Sequence, residues 1–222
     1  MRVEADMIAW EQIRTVLLDM DGTLLDLRFD NYFWNEYLPD RWGSRRGLDP
    51  AAARTELLAR IARCVGTLDW YCIDFWSREL GVDVMALKAD IDHMIVYRPH
   101  AEEFLHRLFA SGRQVVMVTN AHRKLLALKI ERTGIDRYFH HIVSSHDYGA
   151  PKEIPAFWER LEAEFRFERA NTLLIDDNLA VLRMARDYGI GHLLTIAEPD
   201  SGVTGRDTGE FAAIDSFLRV LP

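Results

Sequence analysis

Val16-Leu17-Leu18-Asp19-Met20-Asp21-Gly22-Thr23 is the stretch that decides how this chain reads. Three apolar residues run into two carboxylates one residue apart, and a glycine follows. A buried strand alternates its side chains with a period of two, so Asp19 and Asp21 are expected on the same side of its end. Gly22 lets the backbone turn sharply beyond them. Two like charges this close disfavour each other's ionisation and cost stability unless a cation or proton-transfer chemistry uses them. Carboxylates driven to different protonation behaviour suit an acid–base role for one and a nucleophilic or metal-binding role for the other. Asp-X-Asp-Gly is also an ordinary turn after a strand, because Asp and Gly both favour turns. The remaining sequence decides between the two.

Two further stretches repeat the grammar of an apolar run that ends in polar residues, and a lysine stands between them. Val115 to Val118 ends in Thr119-Asn120, and Leu173 to Ile175 ends in Asp176-Asp177-Asn178. Lys152 stands just before Ile154-Pro155, which reads as the opening of a helix. Each of these alone has a plain explanation, as a helix cap or a solvated surface charge. Together they place a hydroxyl, a lysine and four carboxylates where the carboxyl ends of parallel strands converge, which is where open α/β sheets bind ligands. Such a set suits Mg²⁺, a hard cation that sits between carboxylates and phosphate oxygens.

These four motifs, in this order, resemble those of the haloacid dehalogenase superfamily of phosphohydrolases, and the resemblance spans nearly the whole chain. Leu17 to Trp34, Leu68 to Gly81, Thr119 to Asp136 and Pro199 to Gly202 are further similar to the branch of that superfamily made up of GMP/IMP 5′-nucleotidases. The resemblance implies that Asp19 is the nucleophile, forming an aspartyl-phosphate. Asp21 would protonate the leaving group and then activate water. Thr119 and the backbone amide of Asn120 would bind phosphate oxygens, and Lys152 would pair with both Asp19 and the phosphate. Mg²⁺, or another divalent cation such as Mn²⁺, would be held by Asp19, the Asp21 carbonyl and Asp177, with Asp176 acting through a bound water. A purine monophosphate is the implied substrate. Another small ester, such as a sugar phosphate or phosphoglycolate, is the alternative, for a phosphatase or a mutase. A metal-free dehalogenase would leave Asp21, Asp176 and Asp177 with little to do. A non-catalytic phosphate-binding protein would be expected to have lost one of these carboxylates.

Strand and helix alternate through most of the sequence, which predicts an α/β fold: a Rossmann-like parallel sheet covered by helices on both faces. Strands are expected at residues 13–18, 114–118, 141–143, 171–175 and 192–196. Helices are expected at 100–110, 123–133, 154–165 and 179–188, with Gly112, Gly134 and Gly189 at their ends. Residues 26–98 break the rhythm and read as helices, including one opened by Asp49-Pro50 with Leu57, Leu58, Ile61 and Val65 at helical spacing. Two more are expected at 68–80 and 84–96. This insert matches the position of the superfamily's helical cap, after the first strand, which divides the chain into a core of residues 1–25 and 99–222 and a cap of residues 26–98. The connections near residues 26–28 and 97–99 are the expected hinges. Residues 198–209 read as a surface loop.

The 222 residues carry a formal net charge of −8, which argues against nucleic acid or an anionic membrane as partner. An anionic substrate must therefore be captured by local positive groups. Cys64 and Cys72 are too few for a disulfide framework and read as buried thiols, since a structural zinc site takes about four ligands. Charges at Arg2, Glu4 and Asp6 speak against a signal peptide, and no apolar run approaches a membrane span. A cytoplasmic location is the expectation.

Overall fold

The apolar runs form a six-stranded sheet in the computed structural model, which describes residues 8–222; the N-terminal charges at residues 2, 4 and 6 lie outside that range. The strands are β1 (Thr15–Leu18), β2 (Gln114–Thr119), β3 (His141–Ser144), β4 (Thr172–Ile175), β5 (His192–Ile196) and β6 (Ala213–Ile214). All pairs are parallel, in the order β3-β2-β1-β4-β5-β6. Five of the six coincide with the expected runs. β6 has two residues, too short for an apolar pattern to show.

The pleat explains how one sheet builds two cores. Val16, Leu18, Val115, Met117, Leu173 and Ile175 enter one buried cluster, while the alternate residues Leu17, Val116, Val118 and Leu174 enter the other. Strands buried on both faces read as continuous apolar runs, which is the pattern here. Leu18 is in register with Met117 of β2 and Ile175 of β4, so the three central strands end nearly level. The strand order reverses at β1, with β2 on one side and β4 on the other. Ligand-binding crevices open at such switch points.

The helices are α1 (Arg28–Tyr32), α2 (Leu38–Ser44), α3 (Pro50–Ile61), α4 (Leu68–Tyr71), α5 (Ile73–Leu80), α6 (Val84–Ala89), α7 (Ala101–Ala110), α8 (Arg123–Thr133), α9 (Ser145–Tyr148), α10 (Pro155–Phe165) and α11 (Leu179–Tyr188). A π-helical turn, Phe33–Tyr37, joins α1 to α2. The helical insert differs from expectation in three places. The segment at 68–80 is two helices, because Cys72 takes an extended backbone and caps α5, its Sγ accepting the Phe75 N–H at 3.4 Å. α6 stops at Ala89, and only a 3₁₀ turn at Asp92–Met94 continues it. α3 ends at Ile61, so Val65 lies outside it with 64% of its surface exposed, and Leu58 faces solvent. The two connections of the insert pair with each other: Leu25 and Tyr97 form an antiparallel bridge, flanked by Asp26 N–H to Val96 O and Arg98 N–H to Leu24 O. Among the described residues no helix is long and apolar enough to cross a membrane.

Candidate active site

β1 ends at Leu18, and the chain bends at once, with Leu24 and Leu25 N–H both donating to Met20 O. The strand's period of two therefore does not reach Asp21. Both carboxylates still line one cavity of about 510 Å³, but they face different partners. Gly22 has φ +80°, and a Cβ there would lie 2.6 Å from Asp177 Oδ2, so glycine is required both for the turn and for the approach of Asp177. Thr23, fully buried, accepts the Asp177 N–H at 3.1 Å and ties the two motifs together.

Asp19 and Asp176 are level across β1 and β4, and both bind Lys152. Its Nζ donates to Asp19 Oδ1 at 2.6 Å, to Asp176 Oδ2 at 2.7 Å and to Val118 O at 3.0 Å. All three ammonium protons are used within the protein. The Lys152 backbone is fixed as well, its N–H donating to Asn120 Oδ1 at 3.0 Å. Burial opposes the Lys152 charge, but Asp176 and Asp19 outweigh it and hold the ammonium above its ordinary pKa. Asp176 is fully buried and its second oxygen accepts the Asn178 N–H, so neither oxygen is idle. Thr119 Oγ1 accepts the Ala121 N–H at 3.0 Å, which leaves its hydroxyl proton to be donated. The Asn120 side chain is committed to the Lys152 loop and to Glu153.

Oxygens of Asp19, Asp176 and Asp177 lie within 4.8 Å of one another. Burial, opposed by Lys152 and reinforced by Asp176, raises the Asp19 pKa to about 6. Burial, with Asp19 and Asp176 adding, raises Asp177 well above the carboxylate range. Three carboxylates thus face one fully engaged lysine and Arg206, whose Nη1 is 4.0 Å from Asp177 Oδ2. A surplus of clustered oxygen charge of this kind fits a hard divalent cation.

Asp21 joins a network that sequence motifs do not reveal. Lys129 Nζ donates to Asp21 Oδ1 and to Asp30 Oδ2, each at 2.6 Å, and Lys88 Nζ donates to Asp30 Oδ1 at 2.7 Å. Both lysines are buried, while Asp21 keeps 21% of its side-chain surface open to the cavity. Burial raises the Asp21 carboxyl to about 6; Lys129 opposes this, and Asp30 and Asp19 add to it. Burial also works to raise Asp30, but Lys129 and Lys88 overcome it and hold that carboxylate ionised below its ordinary range. The signal for both lysines lies in helical spacing: Lys129 shares the buried face of α8 with Leu125 and Leu126, and Lys88 that of α6 with Val84. A lysine on an apolar stripe needs a buried partner.

The insert supplies the opposite wall. Trp34 and Trp70 line the cavity with ring centroids 5.5 Å apart, beside Tyr71. Trp76 packs behind them, 5.4 Å from Trp34 and 6.0 Å from Trp70. Tyr71 Oη donates to Glu153 Oε1 at 2.5 Å, and the same carboxylate receives Asn120 at 3.0 Å and Asn178 at 3.3 Å. Glu153 therefore joins the insert to the ends of β2 and β4. The 198–209 loop is not confined to the surface either: Asp200 is buried and accepts Asn31 Nδ2 at 2.7 Å, and Arg206 donates to the Asp177 carbonyl.

A carboxylate-lined crevice at the switch point of a parallel sheet, under a helical insert, has counterparts among known proteins. The family model for haloacid dehalogenase-like hydrolases matches residues 13–189. The chain belongs to that family and is a hydrolase. It is 39% identical over 215 residues, 97% of either chain, to the GMP/IMP nucleotidase YrfG of Escherichia coli strain K12. Among solved structures it resembles the HAD phosphatase from Thermococcus onnurineus (TM-score 0.75, 21% identity, 93% of this chain and 95% of that one). It also resembles the HAD-hydrolase YfnB from Bacillus subtilis, a structure bound to magnesium (TM-score 0.63, 17% identity, 93% and 96% covered).

Proposed function

We propose that this chain is a Mg²⁺-dependent phosphatase that hydrolyses purine nucleoside 5′-monophosphates, GMP and IMP, through an aspartyl-phosphate on Asp19. The observation that carries this reading is the cavity itself, with clustered carboxylates at the sheet end and two tryptophans facing them. The kinship with the E. coli nucleotidase supports the choice of substrate.

Asp19, the backbone carbonyl of Asp21 and Asp177 would hold the metal, and Asp176 would reach it through water; Mn²⁺ accepts the same oxygen donors. Bound there, the cation supplies neutralisation of charge on the transferring phosphoryl group. Lys152 bonds Asp19 Oδ1 and so fixes the orientation of the carboxylate, with Oδ2 as the attacking oxygen. A bond forms between Asp19 and phosphorus as the bond to the ribose 5′-oxygen breaks, and Asp21 gives that oxygen its proton. Asp21, now a carboxylate, takes a proton from the water that attacks the aspartyl-phosphate, which releases inorganic phosphate and restores Asp19. A carboxyl group with a pKa of about 6 can both give and accept a proton near neutrality. The Thr119 hydroxyl is the donor for a phosphate oxygen, beside the Asn120 amide. Residues 26–98 act as cap and residues 1–25 with 99–222 as core, the purine lying between Trp34, Trp70 and the phosphate site. Two free cysteines suit a reducing compartment, the cytoplasm.

A phosphate-release screen over nucleoside monophosphates and sugar phosphates, with and without Mg²⁺, tests the proposal. Turnover of GMP and IMP that requires the metal is expected. A sugar phosphate as the best substrate would move the assignment to another small-ester phosphatase, and no turnover of any ester would remove the phosphatase reading.

A further inference from the structure

Cys72, His122 and His146 come from three separate segments: the kink between α4 and α5, the turn between β2 and α8, and α9. The fold brings one ligand-capable atom of each within 4.8 Å of the others. The two imidazoles stand nearly perpendicular, centroids 4.8 Å apart. His146 Nε2 is buried and has no hydrogen-bond partner among the described residues, whereas buried side-chain nitrogens are ordinarily paired. His122 is 15% exposed; its Nδ1 accepts the Lys124 N–H at 3.3 Å and its Nε2 lies 3.8 Å from Asp74 Oδ2. Asp74 is also paired with Lys124 Nζ at 2.6 Å. Burial lowers the pKa of both imidazoles. Tyr71 and Ile73, on either side of Cys72, and Ala121, next to His122, line the active-site cavity.

We propose that Cys72, His122 and His146 form a second metal site, for a borderline transition-metal cation of the Zn²⁺ type, that fastens the helical insert to the core behind the cavity wall. One thiolate and two imidazoles are the donors such a cation selects, whereas Mg²⁺ takes oxygen. Zinc–ligand bonds of about 2.0–2.3 Å place neighbouring donors of a tetrahedron about 3.5 Å apart, a separation that small side-chain rotations reach from the present cluster. The fourth position goes to water or to Asp74. On binding, Cys72 releases its proton to solvent and ligates as the thiolate. To ligate through Nε2, His122 moves its ring proton from Nε2 to Nδ1 and gives up the contact in which Nδ1 accepts the Lys124 amide. Because Cys72 belongs to the insert and both histidines to the core, the metal restrains the Trp70–Tyr71 wall against β2 and β3. None of these ligands belongs to the carboxylate cluster, so the two sites differ in both place and donor chemistry.

The test uses the full chain, stripped with chelator and kept in excess Mg²⁺, titrated with Zn²⁺ and with Co²⁺ as its spectroscopic stand-in. One equivalent of Zn²⁺ per chain is expected to bind and raise Tm, and Co²⁺ should show the intense visible bands of tetrahedral thiolate coordination. Cys72→Ser should remove the thiolate-to-cobalt band, and His146→Ala should weaken Zn²⁺ at least tenfold, with Mg²⁺-supported phosphate release retained in both. In the wild-type chain Zn²⁺ should slow alkylation of Cys72 far more than that of Cys64, a readout independent of whether the variants fold. The proposal is overturned by no stoichiometric Zn²⁺, by equal slowing at both cysteines, or by Zn²⁺ whose binding is lost in Asp177→Asn and kept in Cys72→Ser/His146→Ala.

Discussion

Asp19→Asn should make the metal-free protein more stable while it abolishes turnover. The fold raises the Asp19 pKa from its ordinary value of 3.8 to about 6, burial being the largest cause. A raised carboxyl pKa means the folded chain binds the proton more tightly than the unfolded chain. Its contribution to stability is present at low pH and is lost as pH rises from 3.8 through 6. At about 1.4 kcal/mol per tenfold change in proton affinity, ionised Asp19 costs the fold about 3 kcal/mol at pH 7. The pairing with Lys152 is already included in that shift, and the amide substitution leaves Lys152 bonded to Asp176 and to Val118 O. For a chain of this length, about 3 kcal/mol corresponds to roughly 6–12 °C in Tm. Thermal unfolding of both proteins in EDTA should show the variant higher by that amount at pH 7, with the gap below about 1 kcal/mol at pH 4. Added Mg²⁺ should raise Tm of the wild type more than that of the variant, because the ion relieves the same repulsion. A variant that melts at or below wild type at pH 7 in EDTA, or a gap that does not change with pH, would refute the reasoning.

Asp21→Asn should lower turnover of GMP by about 10²–10⁴ and leave Mg²⁺ affinity near wild type; a loss of metal binding as large as that of Asp177→Ala would contradict its role. Lys129→Met strands Asp21 and Asp30, and even with Lys88 still on Asp30 it should cost about 3 kcal/mol, at least roughly 6 °C in Tm. Unchanged melting would show that the four-residue network carries little energy. Trp34→Ala and Trp70→Ala should each reduce kcat/KM for GMP by about 1–3 kcal/mol and leave ribose 5-phosphate untouched. Equal values for GMP, UMP and ribose 5-phosphate in the wild type would remove the purine preference.

The parallel sheet was legible because strands buried on both faces are written as unbroken apolar runs, and three of them, β1, β2 and β4, stop at polar site residues. α8 and α11 coincide with their expected bounds, since a capping residue and a C-terminal glycine mark both ends. The insert was legible as helical but not in its breaks. Cys72 has no proline or glycine beside it to announce a kink; the kink is spanned by a side-chain bond, Trp76 Nε1 to the Trp70 carbonyl, which no turn residue marks in the sequence. The site was legible where chemistry sits at strand ends. It was not legible where partners are distant in sequence: Lys129 lies 108 residues from Asp21, and Tyr71 lies 82 from Glu153. His122 stands beside Thr119-Asn120 in the sequence, but its convergence with Cys72 and His146 depends on how the insert docks, which no local pattern encodes.

The chemistry itself is tested most directly by trapping the phosphoryl group on the chain. In Asp21→Asn, p-nitrophenyl phosphate supplies a leaving group that departs without a proton, while the base that would hydrolyse the intermediate is gone. Mass spectrometry of this variant, incubated with Mg²⁺ and p-nitrophenyl phosphate, should find one hydroxylamine-labile phosphoryl group per chain on Asp19, and none when Asp19→Asn is added. Phosphoryl on any other residue, or Asp19→Asn with activity within about tenfold of wild type, would contradict nucleophilic attack by Asp19.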